Sequence, residues 1–447
     1  MSDRARYVCG VMISMAMLGA GTAQAETLQG ERGTLLELKE LARYSAAQIN
    51  QATEGQRRFV SQVNCGVRVL ALQYRTIGVK GEPADASAAL VLPDGAACRQ
   101  RAPLLGWARG TETDRHRQQA QLAAAAPGYP LNSVYAANGY VVIASDYLGL
   151  GNSHYPFHPY LHADTEASTT IDALRAARLA GAQLGVEFSG KVMLGGYSQG
   201  GHVTMATQRA IEREHLTEFN LVASAPMSGA YDLPHTFRES WNGSTSAGPN
   251  PLSPYLLAYT VTAMQRVYGN LYHQPEEVFK PPYAQAVQGA FPGPLGLRAI
   301  LQQPPFNRVR SIDDVRQPGF AKAFSDRPDT PFQQDLARNS TLDWTPRTPM
   351  MLCGTDRDGV VPFDNAARAQ AAFARRGVRV AIVNVDAAVP ATATGAQAHM
   401  LWASLACYSA MRTMIFDPAR WGGALSLARG ASFSLPYPLQ WPANPGS

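Results

Sequence analysis

Charged residues are scarce in this chain: Asp, Glu, Lys and Arg make up 16% of its 447 residues, against about 25% in an average soluble protein. The basic residues behind the formal net charge of +5 stand singly or in short runs, so the dense basic stripe of a nucleic-acid-binding protein is missing. After the N-terminal leader no segment holds about 20 uninterrupted apolar residues, which argues against a membrane bundle. A hydrophobic content of 46% excludes a disordered chain and predicts a large core.

The N-terminal residues 1–25 have the pattern of a secretory signal peptide. Arg4 and Arg6 supply a positive start, residues 7–18 are apolar, and a small-x-small triplet ends at Ala25. We therefore expect cleavage after Ala25 and secretion, first to the periplasm and then outside the cell. An uncleaved anchor is the alternative.

Cysteine is rare, and no two cysteines form a Cys-x-x-Cys pair, which excludes zinc-ribbon and thioredoxin-type motifs. Four cysteines would remain after export, in a compartment that permits disulfides. Predicted strands at 67–77 and 86–92 form a hairpin that places Cys65 opposite Cys98. Elimination then pairs Cys353 with Cys407; buried free thiols are the alternative.

Short apolar runs alternate with helical patterns along most of the chain. The predicted strands are 104–107, 140–145, 191–195, 220–226, 350–353 and 378–385, and the predicted helices are 164–184, 200–214 and 363–376. This alternation is typical of βαβ units. We therefore expect an α/β fold with a mostly parallel, doubly wound sheet and the early hairpin as an antiparallel edge.

The alternation stops between residues 233 and 345, where proline is frequent. Proline permits only short helices there, and a structureless loop of that length is improbable in a compact domain. We therefore predict an inserted lid or cap at 233–345, flanked by core segments at 26–232 and 346–447.

The strand at 191–195 runs into the sequence Gly-Tyr-Ser-Gln-Gly at 196–200 and then into a predicted helix. This Gly-x-Ser-x-Gly pattern, in a strand–turn–helix context, projects a serine hydroxyl above the end of a sheet. Ser198 is the predicted nucleophile, and the backbone N–H of Gln199 is a predicted oxyanion donor at the helix N-terminus. A tight glycine turn with an inert serine is the alternative.

A nucleophilic serine needs a base and an orienting carboxylate, which follow such a serine in the order Asp or Glu, then His. The acid is expected in the loop after strand 350–353, and beyond that loop the sequence offers His399 alone. Asp356 and Asp358 both stand in the loop. We favour Asp358, because Val-Pro at 361–362 follows it at the usual spacing, and we expect Asp356 to hydrogen-bond the loop backbone.

The second oxyanion donor is expected in the loop after strand 104–107. We predict the backbone N–H of Thr111, and a shift by one residue would substitute Gly110. His154, His158 and His162 have the spacing of a helical metal site, but intervening prolines break any such helix. No metal site is predicted.

Four motifs stand out along the chain: Gly-Tyr-Ser-Gln-Gly-Gly at 196–201, Asp-Tyr-Leu-Gly-Leu-Gly at 146–151, His-Pro-Tyr-Leu at 158–161 and Asp-Ala-Leu-Arg-Ala-Ala-Arg at 172–178. In these motifs the chain resembles the bacterial secretory lipase family of α/β-hydrolases, in particular its secreted members from xanthomonad plant pathogens that attack cell-wall esters. The resemblance implies the triad Ser198, Asp358 and His399 and no cofactor. The chain departs from the family pattern at Arg109, which replaces a histidine, and in an Asp loop that is one residue longer.

These observations together predict a secreted lipase or esterase acting on a small-molecule or polymer-linked ester, with or without a glycosyl part. Its substrate contacts are expected in the lid, at Asn250, Ser253, Tyr255 and Tyr259, with packing inside the lid as the alternative. An exported serine peptidase and a non-catalytic binding protein on the same fold are the competing functions. Neither nucleic acid nor membrane insertion is expected, and a monomer is the expected state.

Overall fold

A ten-stranded sheet forms the centre of the fold in the computed structural model, which describes residues 32–95, 98, 101–241, 250–393, 395–422 and 439–440. The strands are β1 (Leu35–Tyr44), β2 (Gly66–Ile77), β3 (Pro83–Asp94), β4 (Ala102–Ala108), β5 (Val141–Ser145), β6 (Phe188–Tyr197), β7 (Asn220–Met227), β8 (Met351–Gly354), β9 (Ala381–Asn384) and β10 (Leu439–Gln440). Their order across the sheet is β1-β2-β3-β5-β4-β6-β7-β8-β9-β10. Neighbours from β5 to β9 pair in parallel, and the outer pairs are antiparallel.

This topology confirms the predicted α/β fold, with a mostly parallel sheet and an antiparallel hairpin at one side. β2 and β3 pair along their whole length. Cys65 and Cys98, which stand just outside the two paired strands, form a disulfide. A second disulfide joins Cys353, in β8, to Cys407.

Helices cover both faces of the sheet. They are α1 (Ala46–Ala52), α2 (Gln119–Ala125), α3 (Ala163–Gln183), α4 (Gln199–Ala210), α5 (Leu233–Trp241), α6 (Ser253–Tyr268), α7 (Tyr283–Ala290), α8 (Leu297–Ile300), α9 (Ile312–Val315), α10 (Pro318–Asp326), α11 (Pro331–Arg338), α12 (Asp364–Ala374), α13 (Ser404–Met411) and α14 (Asp417–Arg420). Side chains of a strand point alternately to opposite faces. Leu105 accordingly packs in the core that contains α13, and Leu104 packs in the core that contains α3.

The segment 233–345, here called the lid segment, contributes helices α5 to α11. Proline occupies the first turn of α6, α10 and α11. Backbone N–H groups in a first turn make no hydrogen bond within the helix, so the N–H that proline lacks is not missed there. The buried apolar side chains of these helices form one cluster with Tyr160, Leu161, Val360 and Val361 of the flanking chain. The division of the chain into core and lid stays a prediction.

No helix in the described ranges is long and apolar enough to cross a membrane. The predicted signal peptide, residues 1–25, lies outside the described residues.

Candidate active site

Ser198 lies in a sharp turn between β6 and α4. Its backbone angles, φ 62° and ψ −121°, fall in a region that non-glycine residues rarely adopt, so the turn is strained. The flanking glycines allow backbones to approach closely. A Cβ on Gly196 would stand 2.4 Å from the carbonyl oxygen of Gly200, and a Cβ on Gly200 would stand 2.1 Å from that of Ala108. A side chain at either motif position would therefore clash with the backbone, so both positions require glycine.

The side chains of Ser198, His399 and Asp358 form a continuous chain of hydrogen bonds. His399 Nε2 lies 2.8 Å from Ser198 Oγ, and His399 Nδ1 lies 2.6 Å from Asp358 Oδ2. The other carboxylate oxygen, Oδ1, accepts the backbone N–H groups of Val360 and Val361, each at 2.9 Å. Because the carboxylate faces Nδ1, the proton of the neutral imidazole sits there, and Nε2 is free to take the serine proton.

Three separate turns at the carboxyl end of the sheet bring these groups together. Ser198 follows β6, Asp358 follows β8, and His399 lies in a π-helical turn between β9 and α13. Parallel strands deliver their following loops to one edge of a sheet, where ligands usually bind. The disulfide between Cys353 and Cys407 ties the strand before Asp358 to the helix after His399.

Asp356, the alternative acid, contacts a different set of groups. Its Oδ2 accepts the side-chain N–H of Asn384 at 2.8 Å, and its own backbone N–H donates to Asp386 Oδ1 at 3.0 Å. We expected its carboxylate to bond the loop backbone. It bonds an asparagine side chain instead, because the end of β9 lies beside the loop, and it is Asp358 that faces His399.

The two predicted oxyanion donors lie next to the nucleophile. Thr111 and Gln199 line the same cavity wall as Ser198, and so does Gly110. A Cβ on Gly110 would stand 3.9 Å from the Ser198 Cβ, so the loop after β4 passes directly against the serine turn. Thr111 Oγ1 pairs with the Tyr160 hydroxyl at 2.9 Å, which fixes its side chain.

Arg109, the departure from the family pattern, is a buried scaffold for this loop. Its guanidinium donates to Asp146 Oδ1 and Glu112 Oε2, each at 3.0 Å, and to the Arg117 carbonyl oxygen at 2.9 Å. Its own carbonyl oxygen accepts the Tyr147 hydroxyl at 3.0 Å. Burial raises the pKa of Asp146 above its usual value, against the opposing effect of the Arg109 guanidinium. The arginine thereby holds the loop in place beside Ser198.

A mainly apolar cavity of about 230 Å³ contains Ser198 and His399. Its apolar wall in the lid segment is built by Phe237, Leu252, Leu256, Leu257, Leu297 and Ile312. The volume lies below the range of about 300–1,000 Å³ typical of small-molecule sites. The cavity therefore offers an apolar surface of limited volume next to the nucleophile.

Two of the four predicted lid contacts line this cavity and two do not. Asn250 and Ser253 are on its wall. Tyr255 and Tyr259 are instead buried in the lid core, which corrects our expectation for them. The Tyr255 hydroxyl donates to the Phe306 carbonyl oxygen and the Tyr259 hydroxyl donates to a backbone carbonyl oxygen of the loop after β4, each at 3.0 Å. A buried phenol needs such a partner, and both find theirs away from the cavity.

The leucines of α6 and the residues after His399 that line the cavity were not predicted. Apolar residues at helical spacing in the lid segment look like ordinary core positions, so their sequence pattern carries no signal for a binding wall.

The three evenly spaced histidines do not converge on one point. His154 Nδ1 contacts Asp85 Oδ2 at 2.5 Å, and His158 Nδ1 lies 2.9 Å from the Leu148 carbonyl oxygen. Burial lowers the pKa of His158 to about 4, so its ring is neutral. His162 Nδ1 lies 2.9 Å from the Thr165 hydroxyl of its own turn, and its ring packs edge-on against Tyr268.

Another group of side chains has the composition of a metal site. Ligand atoms of His235, Glu239 and Asp364 all lie within 4.8 Å of one another. However, His235 Nε2 is 2.8 Å from Asp364 Oδ2, and the Arg368 guanidinium stands 3.4 Å from the same oxygen. Because the arginine already neutralises the carboxylate, the group is better described as an ion-pair cluster between α5 and α12.

A strained serine at a strand–helix turn, in line with a histidine and a carboxylate at the carboxyl edge of a mostly parallel sheet, defines an α/β-hydrolase. The model of the secretory lipase family matches residues 117–286. The rice cell wall degrading esterase LipA from Xanthomonas oryzae is 44% identical, with a TM-score of 0.81 over 87% of this chain and 100% of that chain. The chain therefore belongs to the secretory lipase family and is an ester hydrolase.

Two further solved structures extend the comparison. A ligand-bound form of the same Xanthomonas oryzae esterase matches with the same identity, coverage and TM-score. Lipase A of Candida antarctica in its closed state shares the fold, with 16% identity and a TM-score of 0.61 over 88% of this chain and 83% of that one. Among curated protein sequences none matches. Membership in a secretory family and the two disulfides fit a secreted protein.

Proposed function

We propose that the chain is a secreted serine esterase that cleaves acyl esters through a covalent acyl-enzyme on Ser198. The observation that carries this proposal is the chain of hydrogen bonds from Ser198 through His399 to Asp358, at the wall of an apolar cavity. Burial supports the same assignment, because Asp358 and His399 are only 1% and 4% exposed.

The proposed reaction gives one role to each of these groups. His399 Nε2 takes the proton of Ser198 as Oγ attacks the ester carbonyl carbon, and Asp358 stabilises the imidazolium. The N–H groups of Gln199 and Thr111 stabilise the oxyanion, with about 3 kcal/mol expected from each donor. His399 then protonates the leaving alcohol, and a water molecule, activated in the same way, releases the acid.

The substrate proposed for this site has a short acyl group and a larger alcohol. The apolar lid wall and the volume of about 230 Å³ favour a short acyl chain, and the LipA relative degrades rice cell wall, so we extend the proposal to plant cell-wall esters. The Asn250 amide already contacts the Val360 carbonyl oxygen and the Leu252 N–H. Ser253 is therefore the better candidate for a polar contact with the alcohol or its glycosyl part.

The proposal also covers the export of the chain, its oligomeric state and the role of the lid segment. We propose that the signal peptide is removed after Ala25, that the mature protein acts as a monomer outside the cell, and that residues 233–345 act as a lid over Ser198. N-terminal sequencing of the secreted protein would test the cleavage site directly.

Hydrolysis of p-nitrophenyl esters from acetate to palmitate tests the proposed reaction in the mature protein and in Ser198→Ala. We expect turnover with a short-chain optimum, loss of that turnover in the variant, and labelling of Ser198 by a fluorophosphonate. Turnover that persists in Ser198→Ala would refute the assignment. An absence of both turnover and labelling would favour the binding protein, and faster cleavage of peptide amides than of esters would favour the peptidase.

A further inference from the structure

Next to the serine turn lies a cluster of buried polar side chains that the proposed reaction does not use. We call it the elbow network: Glu166 of α3, Gln199 and His202 of α4, and His158 of the loop before α3. Their exposures are 1%, 3%, 0% and 1% respectively. Within this network Gln199 alone also lines the catalytic cavity, so it connects the network to Ser198.

The hydrogen bonds of the network fix the orientation of the Gln199 side chain. His158 Nδ1 must carry a proton, because it faces the Leu148 carbonyl oxygen at 2.9 Å, and its Nε2 is then an acceptor. Gln199 Nε2 donates to this Nε2 at 2.9 Å and to Glu166 Oε1 at 2.8 Å. Both amide hydrogens are used, and a flipped amide would place its oxygen against a carboxylate.

Glu166 also bonds a second side chain at the start of the same helix. Its Oε2 lies 2.8 Å from His202 Nδ1. His202 Nε2 donates to the Asn339 carbonyl oxygen at 2.8 Å, at the end of the lid helix α11. Glu166 thus bonds two side chains of the first turn of α4, and the second of them reaches the lid segment.

We infer that Glu166 is a positioning residue for the oxyanion donor, acting through Gln199 and His202 on the start of α4. The inference rests on the proposed function. Ser198 adopts a strained conformation, so the turn needs contacts that hold it, and the backbone N–H of Gln199 is useful only where the oxyanion forms. A side chain anchored by two hydrogen bonds, in a residue whose own N–H is that donor, supplies such a contact.

The variant Glu166→Ala tests this role. Alanine removes both acceptor oxygens, so Gln199 Nε2 loses one of its two acceptors and His202 loses its tie to α3. We expect kcat for an oxygen ester to fall about tenfold to a hundredfold with little change in KM. The thionoester analogue, whose sulfur is a weak hydrogen-bond acceptor, should lose less. The ratio of ester to thionoester turnover should therefore fall.

Glu212→Ala is a matched control at the other end of the same helical segment. Glu212 is also buried, and it accepts the Gln208 side-chain N–H at 2.8 Å and the backbone N–H groups of Arg347 and Thr348 at 2.7 and 2.9 Å. Its variant should lose stability and keep the wild-type ratio of ester to thionoester turnover. If Glu166→Ala lowers the turnover of both substrates equally, the role of Glu166 is structural only and the inference is wrong.

A second variant keeps the test decisive if Glu166→Ala does not fold. Gln199→Met retains the backbone N–H and the length of the side chain but removes the amide, and it should lower the same ratio. An unchanged ratio in this variant would overturn the inference. Ser198→Ala separates the two proposals, because activity in that variant would refute the proposed function itself.

Discussion

Replacing Asp358 by Asn should change the tautomer of His399, so that the ring proton moves from Nδ1 to Nε2. Asp358 Oδ1 accepts two backbone N–H groups, at 2.9 Å each, and Oδ2 faces His399 Nδ1 at 2.6 Å. In Asp358→Asn the amide oxygen must keep the two N–H donors, so the NH₂ group points at Nδ1. The imidazole then has to accept at Nδ1 and carry its proton on Nε2, facing Ser198. It can no longer take the serine proton.

The size of this effect follows from the tautomer alone. The asparagine has nearly the same shape and keeps both backbone bonds, so stability and KM should change little. A wrong tautomer at this position costs about 10⁴-fold in kcat. At about 1.36 kcal/mol for each factor of ten, this loss is about 5 kcal/mol of transition-state stabilisation.

Steady-state kinetics on a p-nitrophenyl ester, with urea unfolding of the same samples, measures both quantities. Asp356→Asn is the matched control, since Asp356 bonds the Asn384 side chain and does not contact His399. It should retain most of the wild-type kcat. The reasoning is refuted if Asp358→Asn keeps its activity, and the acid is reassigned if Asp356→Asn loses it.

Three further predictions concern stability. Removing Cys353 and Cys407 together, across a sequence separation of 54, should lower the free energy of unfolding in urea by about 4 kcal/mol; an unchanged midpoint would contradict this. Gly200→Ala should lower the free energy of unfolding by about 1–3 kcal/mol, because its Cβ would stand 2.1 Å from a carbonyl oxygen of β4. The control Gly289→Ala has open space around its Cβ and should leave the free energy of unfolding unchanged. Burial lowers the pKa of His158 to about 4, against about 6.5 in the unfolded chain. The unfolded state therefore binds the proton more strongly between these values, and stability should fall as pH falls through that window. The free energy of unfolding of His158→Asn in urea should depend less steeply on pH than that of the wild type. Equal slopes would exclude His158 as the cause of the stability loss.

Much of the candidate site follows from local sequence. The glycines around Ser198 identify the turn because only glycine tolerates the close approach of β4. The chain order of the triad and the Val-Pro pair after Asp358 then favour two further residues. These signals are local or ordered along the chain, and they do not depend on how the helices pack.

The lid contacts and the elbow network could not be predicted from local sequence, because they depend on how the helices pack. Whether Tyr255 or Ser253 faces the cavity depends on the rotation of α6 against its neighbours, and both residues stand in one short stretch of sequence. Glu166 and His202 are 36 residues apart, and a lone buried glutamate and histidine look in sequence like any polar residues of amphipathic helices. Their contact exists only because α3 and α4 pack side by side.

The sequence alone therefore determined the α/β class, the glycine turn at Ser198 and the order of the proposed catalytic residues, because alternating periodicity and tight glycine turns are properties of neighbouring residues. The tertiary structure decided which carboxylate faces His399, which lid residues form the cavity wall and which buried groups hold the start of α4. Those choices depend on the packing of segments far apart in the chain, where a rotation of one helix exchanges a cavity residue for a core residue.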